Sequence, residues 1–189
     1  LEIALEALAD TCLYYRKMVL KILEVPMEEQ RALHLKELAE ALLHISKRKP
    51  DSFLEAIQLV ILYWLQSGSL NLGRMDTYLA SYYTADVDDG RITESRALEL
   101  LKGMWKALSV RNKPYDTRVV IGGKGREDTQ SADRFCGLAI QATMERMDVV
   151  PQLTLRFSHD TPEWIMKKAF DSIEKGATFP MLYSDDVNI

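Results

Sequence analysis

Cysteine, histidine, glycine and long apolar runs are all scarce in this chain. Its 189 residues hold two cysteines, three histidines, nine glycines and six prolines. Two cysteines cannot build a disulfide framework, which points to a reducing, cytoplasmic setting. His34, His44 and His159 are scattered, and His34 and His44 lie ten residues apart, so they form no i, i+4 metal pair. The most apolar run, Leu59 to Leu65, has seven residues, whereas a bilayer-spanning helix needs roughly 20. No membrane partner is expected from it. An excess of one charge sign is also missing: 24 basic against 28 acidic side chains give a net charge of −4. Nucleic-acid binding draws on clustered Lys and Arg, so no nucleic-acid partner is expected either. Hydrophobic residues make up 47%, which is globular composition rather than disorder.

The elements follow from periodicity. Leu1, Leu5, Leu8, Cys12, Tyr15, Val19 and Ile22 recur at helical spacing, and Pro26 ends that helix. A second helix spans about 27–45. The basic stretch Lys47-Arg48-Lys49-Pro50 reads as a solvated connector. Ser52 and Glu55 fit a capping box for a third helix that buries Phe53, Ile57, Val60 and Trp64. The segment 67–73 breaks it, a short helix covers 75–83, and Asp88-Asp89-Gly90 turns. Thr93 caps a fifth helix with Ala97, Leu101, Met104 and Leu108 inward. After Pro114 the pattern changes. Arg118 to Ile121 reads as a strand stopped by Gly122-Gly123, followed by a helix over 128–147. Gln152 to Phe157 alternates as a second strand. Thr161-Pro162-Glu163 starts a helix, with Thr161 as its N-cap, and 178–183 is a third strand. The fold class is therefore α/β, predominantly helical: a helical part over 1–113, then βαβ units over 114–189. The helical pattern is already running at Leu1 and the chain stops at Asp185-Asp186-Val187-Asn188-Ile189, so a piece of a longer protein is expected.

Local chemistry yields no reaction centre. Gly122-Gly123-Lys124-Gly125 follows a strand and invites a phosphate-loop reading, but it fits neither the dinucleotide fingerprint nor the Walker loop. A turn needing positive φ is the plainer reading. Cys12 and Cys136 lie on apolar helix faces, where a buried thiol is inert. Asp185-Asp186 could approach a cation, but two acids alone make no site.

The ordered motifs carry a resemblance. Pro50-Asp51-Ser52-Phe53-Leu54-Glu55-Ala56-Ile57-Gln58 resembles the Pro-x-(Ser/Thr)-Phe-x-Glu-Ala-(Ile/Leu)-Gln stretch of glycyl radical enzymes, the family of pyruvate formate-lyase. Gly73-Arg74-Met75-Asp76, then Tyr82-Tyr83 and Asp86, is similar to that family's Gly-Arg-x-Asp-Gln segment with its Tyr-Tyr-x-x-Asp. Gly90-Arg91-Ile92-Thr93, Ile121-Gly122-Gly123, Pro151 to Phe157, Thr161-Pro162, and Phe179-Pro180 with Asp185-Asp186 continue it in order. Thr77 stands where Gln is common, and Ser184 where Asn is common.

The resemblance implies that these residues form part of a ten-stranded barrel. In the parent, a cysteine thiyl radical would cleave a C–C, C–O, C–N or C–S bond of a small substrate anaerobically. A glycyl radical installed by a separate S-adenosylmethionine and iron–sulfur activase would supply it. The cysteine and glycine loops lie outside this chain, so the chain carries no catalytic residue and no directly bound cofactor or metal. The segment alone is expected to be inactive. A homo-oligomer is expected. Two residues are implied at the substrate cavity. Ser69 either faces substrate or is a loop hydroxyl after a helix. Phe157 either walls the pocket or belongs to the core. Arg156, on the opposite strand face, reads as a structural ion pair, and Arg74 and Asp76 read as architectural. The rival reading is a non-catalytic helical interaction module built on the same fold; a nucleotide-binding enzyme is more distant.

Overall fold

A computed structural model describes residues 2–110, 117–146 and 151–187. The chain divides into two compact units, Leu1–Gly68 and Ser69–Ile189.

The first unit is three helices, α1 (Glu2–Leu23), α2 (Glu29–Ile45) and α3 (Phe53–Ser67). Its core gathers Cys12, Val19, Ala39, Leu42, Ile45 and Leu62, flanked by Leu8, Leu23, Leu35, Leu38, Leu59 and Leu65. The buried stripe of α1 thus runs Leu8, Cys12, Val19, Leu23, while the expected members Leu5, Tyr15 and Ile22 are exposed. The last turn is phased one residue later than the sequence pattern suggested. Ser52 caps α3 by accepting the Glu55 N–H at 3.2 Å. The reciprocal arm of the box is shifted: the Glu55 carboxylate accepts the N–H of Asp51 at 2.8 Å. It also meets His44 Nδ1 at 2.9 Å and the Arg48 guanidinium. Arg48 is therefore committed to Glu55 and Asp51, which takes it out of any basic patch. Gly68 ends α3 at φ 64°, donating to the Trp64 carbonyl.

The second unit is a four-stranded parallel sheet with helices. In chain order it holds β1 (Asn71–Arg74), α4 (Met75–Asp88), α5 (Glu94–Ser109), β2 (Arg118–Gly122), α6 (Thr129–Arg146), β3 (Gln152–Phe157), α7 (Glu163–Glu174) and β4 (Met181–Ser184). The strands lie in the order β1-β2-β3-β4, every neighbour parallel. Three expectations change. A strand, β1, stands inside the part expected to be helical, 1–113. The helix expected over 75–83 continues to Asp88. Pro162, not Thr161, caps α7; the Thr161 hydroxyl instead accepts the Ser158 N–H at 2.9 Å. Thr93 caps α5 as its sequence position suggests, accepting the Arg96 N–H at 3.1 Å.

The sheet has unlike faces because strand side chains alternate. Val119, Ile121, Leu153 and Leu155 are all fully buried, on the side where α6 packs over β2 and β3. The alternate positions Val120, Thr154 and Arg156 are half-buried, and Arg118, Met181 and Tyr183 are exposed.

Candidate functional site

The carboxyl ends of β2, β3 and β4 converge on one set of turns, the place where open α/β sheets hold ligands. The turn after β2 is Gly122-Gly123-Lys124. Its glycines take φ 75° and 83°. A Cβ on Gly122 would stand 2.3 Å from the Arg156 carbonyl oxygen, and one on Gly123 2.6 Å from Asp185 Oδ2. Two glycines are thus demanded both by backbone angle and by close approach.

Charged side chains from other elements grip this turn. Asp76, in the first turn of α4, accepts the Gly122 N–H on Oδ2 at 3.0 Å. Arg74, at the end of β1, donates to the carbonyls of Gly122 at 2.7 Å and Lys124 at 2.8 Å. Arg126 donates to the Gly123 carbonyl at 2.9 Å and to Asp133 at 2.6 Å. Asp185, after β4, accepts the Lys124 N–H at 2.9 Å and Arg156 Nε at 2.8 Å. Asp186 accepts Lys124 Nζ at 2.5 Å and the His159 N–H at 2.7 Å. The amides of Gly122 and Lys124 are therefore spent on carboxylates, which counts against a phosphate cradle here.

The electrostatics follow from burial and partners. Burial pushes the Asp76 carboxyl up, opposed by the Gly122 N–H and the charges of Arg74 and Arg126. Burial acts upward on Asp185 too, but the Arg156 and Lys124 hydrogen bonds with the nearby cations hold it below the usual carboxylate range. Lys124 and the His159 amide bring Asp186 down to about 2. Cys136 is fully buried on α6, and burial pushes its thiol up, which disfavours the thiolate. Among the described residues no three His, Cys, Asp or Glu side chains cluster as metal ligands. A cleft of about 440 Å³ opens beside the turn, lined by Gly123, Lys124, Arg126, Ser158, Asp160 and Thr161. Its parts can orient and hydrogen-bond a small molecule, while the network behind it fixes their positions.

The structure does not bring Ser69 and Phe157 together. Ser69 precedes β1, and its hydroxyl donates to the Asn71 carbonyl at 2.9 Å. Asn71 is level with Arg118 and Gln152 at the amino ends of the strands. Phe157 closes β3 at the other end, about 16 Å along the strand at ~3.3 Å per residue. Alternation puts Phe157 on the face of Leu153 and Leu155, where it is half-buried, and Arg156 on the other. Arg156, Arg74 and Asp76 are each engaged in the hydrogen bonds that hold the turn and its neighbours. The carboxylate–amide bonds at Asp76 and Asp185 were invisible in the sequence, since the partners lie 46 and 61 residues away. The one available signal was acids placed just beyond a strand end or next to a Gly-Arg pair.

A family model described as "Pyruvate formate lyase-like" matches residues 1–189. Isethionate sulfite-lyase of Oleidesulfovibrio alaskensis is 27% identical over 180 residues, covering 82% of this chain and 21% of that protein. The (2S)-3-sulfopropanediol dehydratase of Klebsiella oxytoca is 25% identical, covering 99% and 25%. The crystal structure of a glycyl radical enzyme from Archaeoglobus fulgidus superposes with a TM-score of 0.78 at 24% identity, covering 96% of this chain and 26% of that one. The chain spans about a quarter of the length of the relatives it matches.

Proposed function

Because this chain belongs to the pyruvate formate lyase-like family, we propose that it forms one wall of the barrel of a glycyl radical enzyme. The observation that carries this reading is the family match along all 189 residues. The open face of the sheet supports it. Parallel sheets occur almost only with both faces covered, and here Arg118, Met181 and Tyr183 stand exposed on the face opposite the helices. In the longer protein that face and the two edge strands would meet further strands, closing the ten-stranded barrel.

On this reading the parent is a lyase or dehydratase acting anaerobically on a small substrate. A cysteine outside these residues, as a thiyl radical, takes a hydrogen atom and becomes a thiol, leaving a substrate radical from which a C–C, C–O, C–N or C–S bond breaks. The radical comes from a glycine oxidised by a separate S-adenosylmethionine and iron–sulfur activase. Cys12 and Cys136 are unsuited to carry it, since both are fully buried, Cys12 in the helical core and Cys136 beneath Asp76 and Arg126. The chain's own share is the clamped turn at the strand ends, which gives the cavity a fixed wall. We place Phe157 at the pocket end of that wall and Ser69 at its far end. In the full-length enzyme with its own substrate, Phe157→Ala should raise KM more than Ser69→Ala does.

Sequencing the coding DNA on both sides, in frame, tests the reading. A frame that continues into a cysteine loop shortly beyond Ile189 and a glycine loop near its end supports it. A stop codon directly after Ile189 sinks it and leaves the interaction module as the surviving account.

A further inference from the structure

A second cleft, of about 420 Å³, opens among α5, α6 and α7 and shares no residue with the strand-end turns. Tyr83, Leu98, Leu138, Gln141 and Trp164 wall it, and Lys168 reaches its rim. Trp164 and Lys168 lie four apart on α7 and so share one side of the helix. The Trp164 ring lies against α6 at Gly137, where a Cβ would stand 2.7 Å from it. Even so, 48% of Trp164 remains exposed. The cleft therefore offers a flat apolar surface that the chain itself does not cover.

Lys168 differs from Lys102 of α5 and from Lys124 at the strand-end turn, both of which are held by carboxylates. Lys102 is paired with Glu145 at 2.8 Å and Lys124 with Asp186 at 2.5 Å. Lys168 has no hydrogen-bond or ion-pair partner among the described residues. The acids nearest to it are already engaged. Glu94, on α5, takes the Tyr83 hydroxyl of α4 at 2.5 Å and the Arg134 guanidinium of α6 at 3.3 Å. Glu145, on α6, takes Lys102 of α5 and Gln141. Burial lowers the Lys168 pKa against the opposing charges of Glu145 and Glu94. More of its amine is therefore neutral, and the neutral amine is the nucleophile.

We propose that Lys168 is an acylation site, taking the acyl group of activated esters whose flat apolar leaving group lodges against Trp164. The lone pair of the ε-amine attacks the ester carbonyl. A C–N bond forms, the C–O bond breaks, and the alcohol or phenol departs with the electron pair. The amine proton passes to the leaving oxygen or to water, and nothing is oxidised or reduced.

The neighbouring Lys167 is exposed and serves as internal reference. With 4-nitrophenyl acetate at neutral pH, peptide mass spectrometry should show Lys168 acetylated faster than Lys167 by roughly threefold or more. Acetic anhydride, which has no ring to lodge, should discriminate less. Raising the pH toward the ordinary lysine range should erase the advantage. Glu145→Gln, a change at the helix surface, should speed Lys168 further by removing a charge that favours its ammonium form. Equal rates at Lys167 and Lys168 overturn the proposal. So does equal selectivity with the anhydride, or a slower Lys168 in Glu145→Gln.

Discussion

Gly122 and Gly125 hold nearly the same backbone angle, φ 75° and 74°, in unlike surroundings. A Cβ on Gly125 meets nothing within 4 Å, whereas one on Gly122 meets a carbonyl oxygen at 2.3 Å. Gly125→Ala should therefore cost only the left-handed penalty, about 1–2 kcal/mol. Gly122→Ala should cost distinctly more, because the strand must also move. Paired urea melts separate the two, and equal losses would show that the close approach relaxes freely. Asp76→Ala should cost about 1–3 kcal/mol, since it leaves the buried Gly122 N–H without its acceptor. Acid titration reads the carboxylates with opposite signs. Asp185 and Asp186 have lowered pKa values, so the stability they give is present above the ordinary carboxylate pKa and is lost as pH falls through their folded values, about 2 for Asp186. Asp76, raised, contributes most when protonated, and that contribution is lost as pH rises through its folded value. In Asp186→Asn the acid limb of a stability–pH curve should flatten, which thermal melts between mild and strong acid will show.

At the scale of elements, Ser52→Ala should cost about 1 kcal/mol by leaving the α3 amide uncapped. Thr161→Ala should leave the α7 cap unaffected, because its hydroxyl serves Ser158 instead. Urea melts of the two variants check this. The same contrast shows what the sequence makes legible. Helices α5, α6 and α7 and strands β2 and β3 are readable because their apolar residues repeat at a helix or strand period for a turn or more. Gln152–Phe157 falls where alternation puts it. β1 escapes such reading: it has four residues, contains Gly73 at φ 66°, and pairs irregularly with β2. Four residues give no period to count. The site is legible only in its glycines, which announce a turn. Apart from Arg126, which follows the turn directly, the side chains that grip it come from β1, α4 and the segment after β4, and only the tertiary fold brings them there.

At the scale of the whole molecule, no helix among the described residues is long and apolar enough to cross a membrane. The sheet's exposed face and its two edge strands are surfaces that template association. The 189-residue chain on its own should therefore self-associate as concentration rises. Replacing Met181 and Tyr183 by Glu should shift it toward monomer in sedimentation velocity; an unchanged distribution would place the contact elsewhere. The carboxylates that clamp the strand ends also impose a schedule. Chains are made from the amino end, and the Lys124 amide and the Arg156 guanidinium both look to Asp185. A ribosome that has released β2 and β3 but not yet Asp185 holds a sheet whose glycine turn lacks its last anchor. During synthesis this wall should therefore stay soft until residue 185 has emerged, and stiffen only then.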